Sequence, residues 1–109
     1  MEVDFYGKFL QIDAKRVLAP WINFGLMFRN RNTENLWFDF GKKRKWEIHS
    51  WFCPKFLVLW ISGNKVVSWG VVKPFRIVKC GRDCTGFVEL PFNTKNKKII
   101  DFIVGNEKV

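Results

Sequence analysis

One histidine, three cysteines and no unbroken apolar run longer than the six residues from Phe56 to Ile61 set the first limits on this chain of 109 residues. That run is far short of the ~20 residues a membrane-spanning helix needs, and the opening "MEVDFYGKFL" carries no basic region followed by an apolar stretch. No export signal is visible, so a cytoplasmic protein with no membrane partner is expected. Three cysteines cannot all pair within one chain, which argues against a disulfide framework and for free thiols. No Gly-rich phosphate loop appears, because Gly25, Gly41, Gly63, Gly70 and Gly81 stand isolated, and no serine-triad motif is present. No internal repeat, linker or low-complexity segment interrupts the sequence.

What the chain has in quantity is aromatic side chains and positive charge. Six Trp and twelve Phe supply large core-formers, enough to exclude disorder and to predict a single domain over 1–109. Nineteen Lys and Arg against ten Asp and Glu give a net charge of +9 and a pI near 9.8, which favours polyanionic partners and says nothing about fold.

Short runs of Val, Ile, Phe and Trp separated by Gly, Asn, Pro and Lys predict strands. "KWEIHSWF" (45–52) reads as one strand, and "FLVLWI" (56–61) as a strand covered on both faces. The turn "SGNK" then leads into "VVSWGVV", making 56–72 a hairpin. After Pro74, "FRIV" is a further short strand, and "GFVEL" continues beyond the turn "CGRDC". At the amino end, "DFYGKFLQID" suits either one strand or a tight hairpin about Gly7, while "VLAPWINFGLMF" predicts a helical turn with Pro20 in its first turn. Asn93 or Thr94 is placed to cap a short helix running toward Asp101, although "IIDFIV" alone suits a strand equally well. The expected architecture is all-β with minor α: a compact sandwich, jelly-roll-like or small-barrel domain with one or two short helices.

Taken in order, "GLMFR" (25–29), "IHSWF" (48–52), "KVV" (65–67), "VKPFRIVK" (72–79), "VELP" (88–91) and "VGNEKV" (104–109) follow the pattern of one small family. The chain resembles the family catalogued as domain of unknown function 192, found in archaea and bacteria. The resemblance covers nearly everything after Gly25. It implies a compact, mostly β fold related to sandwiches or jelly rolls, with no catalytic residues to carry over. The chain departs from the pattern in "CPKFLVLW", where relatives place an Asp entering the central strand, and in Gly105-Asn106-Glu107, where they have Gly-Asp.

Several residue sets bear on chemistry. His49, Cys53, Cys80 and Cys84 have the makings of a zinc set, but residues four apart in a strand lie ~13 Å from each other, too far for one ion. Only a helix brings His49 and Cys53 together, and Pro54 with the surrounding aromatics disfavours one, so neither metal nor cofactor is expected. In "CGRDC", Gly81 and Asp83 supply turn geometry between two adjacent strands, with a reversible Cys80–Cys84 disulfide as the redox alternative and Lys79 and Arg82 lowering the thiol pKa. His49, the lone imidazole, suits a buried hydrogen-bonded position better than that of a catalytic base.

Two binding sets remain. Arg29, which closes "GLMFR", forms with His49, Lys73 and Arg76 a candidate ligand-facing cluster. Arg29, Arg31, Lys42, Lys43, Arg44 and Lys45 with Trp46 form a candidate surface for single-stranded nucleic acid, with "KKRK" read as a hairpin tip. The sequence therefore points to a non-catalytic binding module. Its alternatives are a basic protein that binds nucleic acid or another polyanion, and a small-ligand pocket or enzyme around Arg29 and His49.

Overall fold

The buried strand at the centre of the sheet is the one with no polar residue to spare. β6 (Phe56–Ser62) is buried from Phe56 to Ile61, and its side chains alternate between two separate cores. Leu57, Leu59 and Ile61 enter one core with Val3, Val88 and Ile103; Phe56, Val58 and Trp60 enter the other with Leu36, Phe38 and Phe87. A strand covered on both faces requires this unbroken apolar pattern.

The computed structural model describes residues 1–17 and 29–106. The helical turn expected about Pro20, most of "GLMFR" and the last three residues lie outside them. In chain order the strands are β1 (Glu2–Phe5), β2 (Lys8–Gln11), β3 (Ala14–Arg16), β4 (Asn35–Arg44), β5 (Glu47–His49), β6, β7 (Lys65–Val72), β8 (Ile77–Lys79) and β9 (Cys84–Pro91). A turn of 3-10 helix (Thr94–Asn96) leads into α1 (Lys97–Asn106). Seven strands form one curled sheet in the order β2-β1-β7-β6-β9-β4-β3, and β5 and β8 pair as a separate ribbon. The all-β expectation with minor helix holds, as a curled half-barrel.

Local chemistry explains the turns. "DFYGKFLQID" is the hairpin, with β1 and β2 antiparallel around Tyr6 and Gly7. Gly63, at φ +64°, makes the two-residue turn between β6 and β7. Gly86 lies in β9 between β6 and β4, where an added Cβ would collide with the Phe38 carbonyl.

α1 covers the first core with Ile100 and Ile103, so "IIDFIV" follows the helical period rather than the strand's alternation. Asn93 caps the preceding turn by accepting from the Asn96 N–H at 3.0 Å. Asn96 is itself buried and donates to Asn35 Oδ1 and to the Pro91 carbonyl, both at 2.7 Å, which fastens the helix to the sheet.

The β5/β8 ribbon covers the second core, and three expectations change there. "KWEIHSWF" is strand only over Glu47–His49, because Ser50 turns the chain. "KKRK" is no hairpin tip: Lys42–Arg44 finish β4 past an irregularity after Asp39, and β5 pairs with β8 instead of β4. "CGRDC" is a bend but not a hairpin, since β8 belongs to the ribbon and β9 to the sheet.

Candidate functional site: an aromatic and cationic apex

Ser50 is fully buried, yet it sits between two exposed loops and holds them together. Its hydroxyl donates to the Lys73 carbonyl at 2.6 Å and accepts from the Arg76 N–H at 2.7 Å. Its own N–H donates to the Arg76 carbonyl at 2.8 Å, and its carbonyl accepts from the Phe75 N–H at 3.0 Å and from the Cys53 N–H at 3.2 Å. Buried polar groups must be satisfied, so this one side chain fixes segment 50–55 against segment 73–76.

Large rings project from that join. Trp51 is 39% exposed, Phe52 58%, Phe75 50% and Ile77 58%, against nearly complete burial of the aromatics in β6. Phe52 and Phe75 meet edge to face at 5.3 Å between centroids, Trp51 lies 6.0 Å from Phe75, and His49 stacks 6.2 Å from Trp51. His49 Nδ1 accepts from the Trp51 N–H at 3.3 Å, which leaves Nε2 to carry the proton of the neutral ring. Phe52 and Phe75 also hold left-handed backbone conformations, φ +58° and +59°, which cost about 1 kcal/mol or more each for a residue with a Cβ. Strain of this kind persists only where the surroundings impose it, and the Ser50 carbonyl, accepting from the Phe75 and Cys53 N–H groups, ties both positions down.

The electrostatics of the apex are one-sided. Segments 48–56 and 72–77 contain His49, Lys55, Lys73 and Arg76 and no carboxylate. Lys55 lies with its ammonium 4.5 Å from the Phe92 ring centroid, and its carbonyl accepts from the Phe92 N–H. The next residue, Asn93, donates to the Arg31 carbonyl at 2.8 Å. Since Phe56 pairs with Pro91 and Leu36 with Glu89, the apex loops and the start of β4 share one end of the sheet. Arg31 is thus on the same end as the apex cations.

The structure sorts the sequence-predicted residues into three places. His49, Lys73 and Arg76 come together around Ser50, whereas Arg29 reaches Thr33 Oγ1 at 3.4 Å and Glu34 at 3.9 Å, and no hydrogen bond or ion pair among the described residues joins it to His49. Lys42, Lys43, Arg44 and Lys45 lie at or just past the far end of β4; Leu36 faces Glu89 and Arg44 faces Cys84, five residues apart on β9, or roughly 17 Å at ~3.3 Å per residue. Trp46 is half-buried there: it stacks on Phe40 at 4.0 Å, carries the Arg44 guanidinium at 4.7 Å and donates its indole N–H to the Cys84 carbonyl at 3.0 Å. The exposed rings of the apex are Trp51, Phe52 and Phe75, while Tyr6 and Phe9 are exposed on the β1/β2 hairpin.

The thiols are packed inside. Cys53, Cys80 and Cys84 are all buried and free, and Cys80 is close enough to hydrogen-bond Cys84. Burial, then the neighbouring Glu89 carboxylate, pushes the Cys53 thiol up to about 12; burial, then Cys80, pushes Cys84 up to about 11. Both stay protonated near neutrality, opposite to what a nucleophilic cysteine needs. Among the described residues no group of three His, Cys, Asp or Glu side chains is placed to hold a metal ion, and no helix is long and apolar enough to cross a membrane.

No protein-family model matches the chain, and no curated protein matches it. Among solved structures it is similar to a crystal structure of a candidate transcription regulator from Sinorhizobium meliloti 1021. The TM-score is 0.71 at 18% identity, covering 90% of this chain and 81% of that one. A likeness at that identity carries the architecture and leaves activity to be argued from the site.

Proposed function

We propose that this protein is a non-catalytic binding module that holds single-stranded nucleic acid at the Ser50-anchored apex. The observation that carries this reading is the pairing of strained, exposed rings with unopposed cations on one rigid join. Trp51, Phe52 and Phe75 offer ring surface for bases, each stack contributing ~1 to 3 kcal/mol, while Lys73, Arg76, Lys55 and Arg31 attract the phosphates. Two of the segments that carry the family resemblance, "IHSWF" and "VKPFRIVK", meet at this join.

Anisotropy of a labelled twelve-residue oligothymidylate at low and moderate salt tests the proposal. Binding should weaken steeply with salt, because phosphate contacts release counterions. Trp51→Ala should cost about fivefold or more in affinity, the low end of one lost stack, with no loss of thermal stability. Absence of binding at low salt, or binding indifferent to both salt and Trp51, removes the proposal.

A further inference from the structure

β7 is eight residues long, but the strand on its outer side is not. β1 meets it at a single rung, Asp4 opposite Lys65, where the Asp4 N–H donates to the Asn64 carbonyl at 2.7 Å. β1 then stops at Phe5 and turns back through Tyr6 and Gly7. Among the described residues, no strand pairs with β7 on that side from Val66 to Val72. A groove of ≈ 730 Å³ opens where β1 leaves off, with Phe5, Tyr6, Lys8, Trp69, Gly70 and Phe102 in its walls.

This edge lacks the devices that keep strand edges solitary. "VVSWGVV" has no charge and no proline from Val66 to Val72, and the one bulge lies at the start of the open stretch, between Val66 and Ser68, leaving Ser68 to Val72 regular. Val71 is 42% exposed. Gly70, inside the strand, would meet nothing within 4 Å if it carried a Cβ, and glycine in a strand interior often marks the approach of another backbone.

We propose that the β7 edge from Ser68 to Val72 is a docking site for an extended segment of a partner protein, which adds as a strand and alternates carboxylates with apolar residues. This surface is separate from the apex and does not depend on it. The occupant's chemistry follows from what β7 already accepts. β1, "EVDF", sends Val3 and Phe5 into the core and leaves Glu2 and Asp4 facing outward, and the incoming segment takes up the line that β1 drops. Lys8 stands on the groove face, beside the segment's apolar side chains, so the attraction for carboxylates is that of the chain's overall positive field, +9 in all, to which Lys8 adds at close range. Main-chain hydrogen bonds to the open edge supply affinity, and the groove beside Trp69 takes the apolar side chains.

The probe is a fluorescein-labelled, end-blocked peptide with the sequence Glu-Val-Asp-Phe-Glu-Val-Asp-Phe, beside a control in which every carboxylate residue is lysine. Anisotropy reads binding, and hydrogen exchange reads the backbone amides of the intact chain. The acidic peptide should bind saturably and slow exchange across Ser68–Val72, whereas the lysine peptide should not. Val71→Lys puts a charge on the edge and should weaken binding by about tenfold or more; Lys8→Glu should weaken it as well, both variants keeping the wild-type melting temperature. The proposal is overturned by unchanged exchange at Ser68–Val72, by equal binding of the lysine peptide, or by full binding to Val71→Lys. Protection that depends on protein concentration without peptide assigns the edge to a second copy of the chain and also overturns it. So does protection in the free protein that vanishes when residues 107–109 are deleted.

Discussion

Phe56, Val58 and Trp60 disappear into the core of the second face, while a few residues earlier Trp51 and Phe52 stand in solvent beside Phe75. The two regions use the same residue types under opposite rules. In β6 an aromatic stabilises by leaving water, at roughly 25 cal/mol per Å² of apolar surface removed. At the apex the rings keep about half of their surface in water, and two of them hold an unfavourable backbone conformation. The core is therefore where sequence and stability agree, and the apex is where stability is given up for a surface.

Four substitutions or conditions separate the two regions, beginning with the core. Gly86→Ala should cost about 3 kcal/mol or more, because overpacking against the Phe38 carbonyl has no flexible neighbour to yield; denaturant unfolding measures it, and a near-neutral result would mean that β9 and β4 can part. Ser50→Ala should cost about 1 to 3 kcal/mol, the range for leaving a buried partner such as the Arg76 N–H without its acceptor. Oligonucleotide affinity should fall with it, as the two loops lose their join. Phe75→Gly reverses the sign: removing a Cβ from φ +59° should hold or raise stability by up to about 1 kcal/mol. Affinity should nevertheless drop about fivefold or more, again the low end of one stack. A variant that loses both stability and binding would place Phe75 in the core's economy instead.

The smallest effect concerns pH. The Cys53 and Cys84 thiols have folded-state pKa values raised to about 12 and about 11 from an ordinary value of 9.0. Below the ordinary value both are protonated whether the chain is folded or not. Above it the unfolded chain releases protons first, so stability should decline as pH rises through the folded values. Urea midpoints between about pH 8 and about pH 10.5 should fall, and fall less in Cys53→Ala/Cys84→Ala. Equal slopes in the two proteins would mean that the thiols titrate normally.

The difference between the regions also explains what could be read from the sequence. "FLVLWI", "SGNK" and "VVSWGVV" announced a buried strand, a turn and a hairpin partner because periodicity and turn chemistry are local. A cap at Asn93 or Thr94 was legible for the same reason, and Asn93 supplies it. The ribbon could not be read: β5 and β8 are separated by the whole β6/β7 hairpin, and nothing in "KKRK" or "CGRDC" tells which strand each neighbour will choose. The candidate site was half legible. His49, Lys73 and Arg76 meet through their backbones around Ser50, whereas Trp46, which stands beside cations in the sequence, is held against Phe40 and Cys84. Phe52 and Phe75 are not legible as exposed rings, because a phenylalanine normally reports burial and a left-handed backbone at such a residue leaves no compositional trace.

Residue-resolved chemical-shift mapping of the ¹⁵N-labelled protein during an oligothymidylate titration tests the central claim most directly. Shifts should concentrate at 49–55 and 73–77, with the Trp51 indole among the largest and the Trp46 indole unmoved. Shifts centred on Lys42–Trp46, or spread evenly over every cationic surface, would contradict the assignment of binding to the Ser50 join.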